Sequence, residues 1–159
     1  MAEFSATPDG AGRRIAVIAS RFNEEITRKL ADGAMETLVA SGVAFDNIDL
    51  IWVPGAWELP MAARAAATTD RYDAIVAVGA VIRGETSHYD IIANEASRGL
   101  AEVSAAFEIP IGFGLLTCED DAQAEARSGG AHGNKGADAA LAALEMADLG
   151  NLLDTDDEG

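Results

Sequence analysis

Residues 74–82, AIVAVGAVI, decide the fold. The run lies between Asp73 and Arg83 and has the length of a strand, short of the ten or so residues a helix needs. It is apolar at odd and even positions alike, so both of its faces must be covered, as in strands of a parallel sheet. A polar stretch follows at 83–88, RGETSH. From about Tyr89 to Phe107 the period changes, and Ile92, Ala96, Leu100, Val103 and Phe107 recur at helical spacing. Strand, polar loop and helix in this order are the repeating unit of an α/β sheet.

The same unit extends in both directions. Upstream, Arg14 to Ser20, RIAVIAS, reads as a strand. Asn23 then serves as N-cap of a helix to about Ser41, with Ile26, Leu30, Ala34 and Leu38 on its buried face and Gly42 at its end. Ile48 to Val53 is a second strand, Pro54-Gly55 a turn, and Leu59 to Thr68 a helix that tolerates Pro60 in its first turn. Downstream, Ile111 to Thr117 is the fourth strand, and Ala122 to Arg127 a short helix. The glycine-rich break SGGAHGN precedes a last helix from Lys135 to Leu149. The pattern predicts a three-layer sandwich: a four-stranded parallel, flavodoxin-like sheet with helices on both faces and right-handed crossovers. Residues 13–150 form one domain, 1–12 a flexible N-terminal arm and 151–159 an acidic C-terminal tail.

Composition removes several classes of function. The 159 residues are 49% hydrophobic and 24% charged, as expected of a globular domain. Asp and Glu number 27 against 11 Lys and Arg, a formal charge of −16. No basic stripe exists, which argues against nucleic acid and anionic membranes as partners. No run of 18 apolar residues exists to cross a bilayer, and residues 1–14 lack the apolar centre of a secretion signal. The expected location is the cytoplasm. The single cysteine, Cys118, excludes an internal disulfide and any Cys-based zinc site. It lies in an apolar run and reads as a buried thiol rather than a nucleophile. His88 and His132 do not form a metal motif.

Ligands of such sheets bind beyond the carboxyl ends of the strands, so the four segments found there carry the functional signal. After the first strand, Phe22 is either a ring for a flat heterocycle to stack on or a hydrophobic staple for the next helix. After the second, Gly55 and Ala56 permit close backbone approach. Glu58 either binds a polyol or amide donor, or serves the helix dipole as a first-turn acid. After the third, small residues run into a helix start, where free N–H groups and the Thr86 hydroxyl make a phosphate seat. The glycine spacing fits neither a Walker loop nor a dinucleotide fingerprint. His88 beside that seat is equally a structural residue or a proton carrier. After the fourth, Arg127 and Lys135 are two cations in an acidic chain. They suit a phosphate clamp, and suit surface positions at helix ends at least as well.

Taken together, RFN at 21–23, PGAWELP at 54–60, GAVIRGETSHYDIIANE at 79–95 and NKGADAALAALEMA at 134–147 resemble the lumazine synthase family. The resemblance runs in order over about residues 13–150. It implies a transferase of riboflavin biosynthesis that needs no cofactor or metal. The family condenses 5-amino-6-(D-ribitylamino)uracil with 3,4-dihydroxy-2-butanone 4-phosphate to 6,7-dimethyl-8-ribityllumazine, through an imine and with loss of phosphate and water. By match of position, Phe22 stacks on the pyrimidine and Ala56, Trp57 and Glu58 hold the ribityl chain. Ala80, Val81 and Ile82 read the uracil edge through the backbone. Glu85 and Thr86 form the phosphate turn, and His88 moves protons. Phe113, Arg127 and Lys135 complete the site, with Phe113 and Arg127 arriving from a neighbouring subunit. Two positions depart from the common pattern: Cys118 stands where Thr is frequent, and Ala56 where Ser alternates.

The resemblance also implies a homo-oligomer, with pentamers that in some members close twelve at a time into a sixty-subunit shell. It adds riboflavin synthase as a protein partner. The break at 128–134 carries no insertion, which favours the shell. The alternative from another class is a catalytically weak scaffold of the same fold, which would have no need to keep Phe22, Glu58, His88 and Arg127 together.

Overall fold

The computed structural model describes the backbone of residues 1–157 and the side chains through residue 154. Four parallel strands form the sheet: β1 (Ile15–Ser20), β2 (Ile48–Val53), β3 (Ala74–Ile82) and β4 (Ile111–Cys118), in the order β2-β1-β3-β4. The register pairs Ile15 with Ile48 on one side of β1 and with Ala74 on the other, and β3 meets β4 from Ile75↔Ile111 to Ile82↔Cys118. The chain leaves β1 toward one edge and returns to its other side as β3. The sheet therefore opens a crevice between the carboxyl ends of β1 and β3, where connections diverge.

Side chains alternate between the two faces of each central strand. Ile15, Val17 and Ala19 of β1, with Val76 and Val78 of β3, face helices α1 (Glu24–Ala40) and α5 (Lys135–Asp157). Ala16 and Ile18, with Ile75 and Ala77, face α2 (Leu59–Thr68) and α3 (His88–Phe107). Leu30, Leu38 and Leu144 on the first face are wholly buried, each worth about 2 kcal/mol of transfer free energy. Backbone contact there is so close that a Cβ at Gly112 would collide with the Ala139 carbonyl, and one at Gly136 with that of Leu30.

The helix ends follow local chemistry. Gly42, at φ +105°, closes α1: its N–H donates to the Val39 carbonyl at 3.0 Å and that of Val43 to Leu38 at 3.0 Å. Asp120 caps the short α4 (Asp121–Ala126) by accepting from the Gln123 N–H at 2.8 Å, and the Gln123 amide oxygen accepts from the Glu119 N–H at 2.8 Å. Asn134 caps α5, accepting from Ala137 N–H at 3.1 Å while its amide donates to Lys29 of α1 at 2.9 Å.

Four expectations need correction. Asn23 stands at the N-cap position of α1 but is left-handed (φ 62°, ψ 48°) and makes no side-chain cap; its amide goes elsewhere. The last helix does not stop at Leu149 but runs to Asp157, because no proline or left-handed residue breaks it. The Asn151 oxygen, in the amide orientation that satisfies both partners, accepts from the Arg13 guanidinium at 3.1–3.2 Å. Much of the acidic tail is therefore helical, and Glu158 and Gly159 lie outside the described residues. The glycine-rich break folds into a small hairpin, β5 (Ser128–Gly130) and β6 (Gly133–Asn134). Finally, α3 begins at His88, and its Ile92 and Phe107 are only half-buried. Residues 1–12 hold no helix or strand. Gly10 is nonetheless buried, donating to the Ser41 carbonyl at 2.9 Å, and Thr7 N–H donates to Asp148 Oδ2 at 3.0 Å.

Candidate active site

The crevice between β1 and β3 holds a cavity of about 590 Å³. β1 ends at Ser20, and the turn that follows lays the Phe22 ring over it. The ring is 72% exposed, which a core-serving staple would not be. Backbone bonds hold the turn against the second strand's exit: Arg21 N–H donates to Val53 at 2.8 Å and Phe22 N–H to Pro54 at 3.0 Å.

The β2 exit contributes the opposite wall, from Pro54 to Glu58. The Glu58 carboxylate folds back to accept the Gly55 N–H at 3.0 Å, and Glu58 N–H donates to Gly55 at 3.1 Å. Glu58 thus shapes this turn as well as lining the cavity. Trp57 is 55% exposed, too open to be serving the core.

The floor comes from the end of β3, Ala80 to Ile82, and the far rim from Gly84, Thr86 and the first turns of α3. His88 is exposed at the head of α3, and its N–H donates to Thr86 Oγ1 at 3.3 Å. The Glu85 side chain is also exposed but stands outside the lining. The helix dipole and the free first-turn N–H groups favour an anion at this rim.

Arg83 fastens that rim to the β4 exit. Its Nε donates to Glu119 at 2.9 Å, its Nη1 to Asp90 at 3.4 Å, and its guanidinium lies 4.3 Å from the centre of the Tyr89 ring. Bonding to Glu119, and next to Asp90, pushes its pKa up. Arg83 N–H also donates to the Cys118 carbonyl at 2.8 Å. Burial pushes the Cys118 thiol up, against the Arg127 charge. It stays a neutral thiol at neutral pH, which suits packing rather than attack.

Three expected residues are elsewhere. Phe113 projects from β4 on the α3 side, 43% exposed, beside a second cavity of about 580 Å³ that Leu100, Ser104 and Ile111 help to line. Arg127 is half-buried and donates from Nη1 to the Gln123 carbonyl at 3.1 Å. Lys135 is exposed beside it, its N–H donating to the Arg127 carbonyl at 2.8 Å. The hairpin thus joins the two residues through their backbones, and neither lines the cavity of Phe22 and His88. Sequence reasoning passed over Tyr89 and Ile92, which line the cavity. Ile92 belongs to the stripe expected to face the core, and Tyr89 stands at the expected helix start. Arg83 also went unremarked, although its only near neighbours of opposite charge in sequence were Glu85 and Asp90.

An open parallel sheet with a cavity at its carboxyl ends, and aromatic side chains left bare around it, define a flavodoxin-like protein with a candidate small-molecule site. Comparison narrows this class. Residues 12–151 match the family model of 6,7-dimethyl-8-ribityllumazine synthase. A protein of that name from Gemmatimonas aurantiaca is 66% identical over 149 residues, covering 94% of this chain and 91% of the relative. Another, from Kosmotoga olearia, is 49% identical over 140 residues (88% and 90%). A third, from Desulfotalea psychrophila, is 49% identical over 142 residues (89% and 92%). The chain belongs to the 6,7-dimethyl-8-ribityllumazine synthase family, enzymes of riboflavin biosynthesis.

Proposed function

We propose that this chain condenses 5-amino-6-(D-ribitylamino)uracil with 3,4-dihydroxy-2-butanone 4-phosphate to give 6,7-dimethyl-8-ribityllumazine, one phosphate and two waters. The observation that carries this reading is the gathering of Phe22, Trp57, the Ala80–Ile82 strand end, Thr86 and His88 around one cavity. A bare ring, a backbone edge, an anion-favouring helix start and an imidazole are what a flat pyrimidine and a phosphorylated ketone require.

The 5-amino nitrogen attacks the ketone carbon, and loss of water leaves an imine. Elimination breaks the C–O bond to phosphate, which departs with the electron pair. The resulting enol tautomerises to a ketone. The ribitylamino nitrogen then attacks that carbonyl, and loss of the second water closes the ring. Each stage moves a proton between nitrogen, carbon and oxygen near neutrality, which suits His88 at the cavity rim. Phe22 stacks on the pyrimidine, and Ala56, Trp57 and Glu58 hold the ribityl chain. Glu85 contributes through its backbone, since its side chain lies outside the lining. Most of the acceleration comes from holding two substrates in register.

Phe113, Arg127 and Lys135 serve the same reaction from a neighbouring copy. What supports this is their position: Phe113 is bare at the β4 edge, and Arg127 and Lys135, joined through their backbones, lie outside the cavity of their own chain. Arg127 pairs with the phosphate and stabilises its departure, with Lys135 beside it. The working form is then a closed ring, in this family a pentamer, and the short 128–134 hairpin supports further closure into a shell. No cofactor or metal enters the scheme. We place the enzyme in the cytoplasm, with riboflavin synthase consuming its product.

Mixing the two substrates with purified protein tests the activity. The lumazine chromophore should appear well above the protein-free rate, with one phosphate released per lumazine. A rate equal to that of buffer would contradict the proposal and favour a catalytically weak scaffold.

A further inference from the structure

We propose that the side-chain amide of Asn23 is a positioning device that sets the gap between Phe22 and the β3 strand end; the inference rests on the reaction proposed above. β1 and β3 stay in register only as far as Ala19↔Val78. Ala80 lies two residues beyond that last pair, at the floor of the cavity. There the Asn23 Nδ2 donates to the Ala80 carbonyl at 3.0 Å in a half-buried position. A side chain thus extends the link between the two strands past the point where their pairing stops.

The geometry is specific to asparagine. Residue 23 adopts φ 62° and ψ 48°, a left-handed conformation that few residues other than Gly, Asn and Asp take readily. Of these three, only Asn has an amide donor. The conformation also forgoes side-chain capping of α1, although Asn is a good cap. The Asn23 carbonyl still accepts the Ile26 and Thr27 N–H groups at 3.0 Å, so α1 starts without help from the side chain.

The effect falls on Phe22. The turn is tied toward the β2 exit through Arg21 and Phe22 N–H. Among the described residues, its hydrogen-bonded tie to β3 is the Asn23 amide. Removing that tie frees the ring to drift from the strand end, widening the slot for a flat heterocycle. The phosphate end, at Thr86 and the α3 start, is unaffected. The expected signature is a loss confined to the pyrimidine.

Two variants separate the backbone from the amide. Asn23→Gly keeps the left-handed turn and removes the donor. Asn23→Asp keeps the shape and presents an acceptor to a carbonyl. We expect both to raise the Michaelis constant for the pyrimidine by about tenfold, the size of one hydrogen bond. The constant for the butanone phosphate should stay within about twofold, and α1 should melt with the rest of the fold as before, since Asn23 does not cap it. Unchanged constants for both substrates would overturn the proposal. So would equal losses for both together with a lowered melting temperature, which would make Asn23 merely structural. Absence of turnover by the unaltered chain would overturn the proposed reaction as well, and is distinguished by that control.

Discussion

The two faces of the sheet are finished differently. On the α1/α5 face, Leu30, Leu38 and Leu144 are sealed, and glycines at 112 and 136 let backbones touch. On the α2/α3 side and at the carboxyl ends, Phe22, Trp57 and Phe113 remain bare around two cavities. One region spends its apolar surface on folding. The other leaves aromatic surface open, which fits the proposed covering by a substrate and a second copy.

This contrast can be broken by exchanging its terms. Leu144→Ala, on the sealed face, should cost about 2–5 kcal/mol; denaturant unfolding would show it, and a loss under about 1 kcal/mol would mean that face is looser than described. His88→Ala, at the open end, should slow turnover about a hundredfold, leave pyrimidine binding largely intact, and shift stability by less than about 0.5 kcal/mol. A comparable fall in affinity and rate would make His88 a binding or structural residue. Arg127→Ala should raise the Michaelis constant for the butanone phosphate by about tenfold or more, the scale of a charge-assisted pair. An unchanged constant would remove it from the site. At the small end, Glu108 closes α3 with φ 51°, a conformation that glycine takes without strain. Glu108→Gly should add up to about 1 kcal/mol with no change in activity. Lower stability would mean that Glu108 makes contacts that offset its strain.

The central strands were legible because burial on both faces leaves an unbroken apolar run, and 74–82 could be nothing else. The crevice followed from topology, and with it the place of Phe22, Ala56 and His88. Other features were hidden for physical reasons. Asn23 was read as a cap because the residue type serves caps and left-handed turns equally well, and only coordinates distinguish them. The end of α5 lies beyond the expected Leu149, since the helix passes through Gly150 to Asp157. Ile92 has the spacing of the core stripe, yet it lines the cavity with Tyr89. Pro54 and Gly55 read as a turn, and the cavity uses that same turn as a wall. The place of Arg127 relative to its proposed substrate depends on the proposed assembly, which one chain's hydrophobic pattern does not encode.

In the proposed reaction each site is built from two copies of the chain. Co-expression of Phe22→Ala chains with Arg127→Ala chains tests it, assayed with both substrates well below the variants' Michaelis constants, where each variant alone should keep about a tenth or less of the activity. If the site is shared, random mixing leaves about a quarter of interfaces with both native residues, and activity returns in that proportion. If Phe22 and Arg127 of one chain served the same site, every site would carry one lesion and the mixture would stay as inactive as its parts.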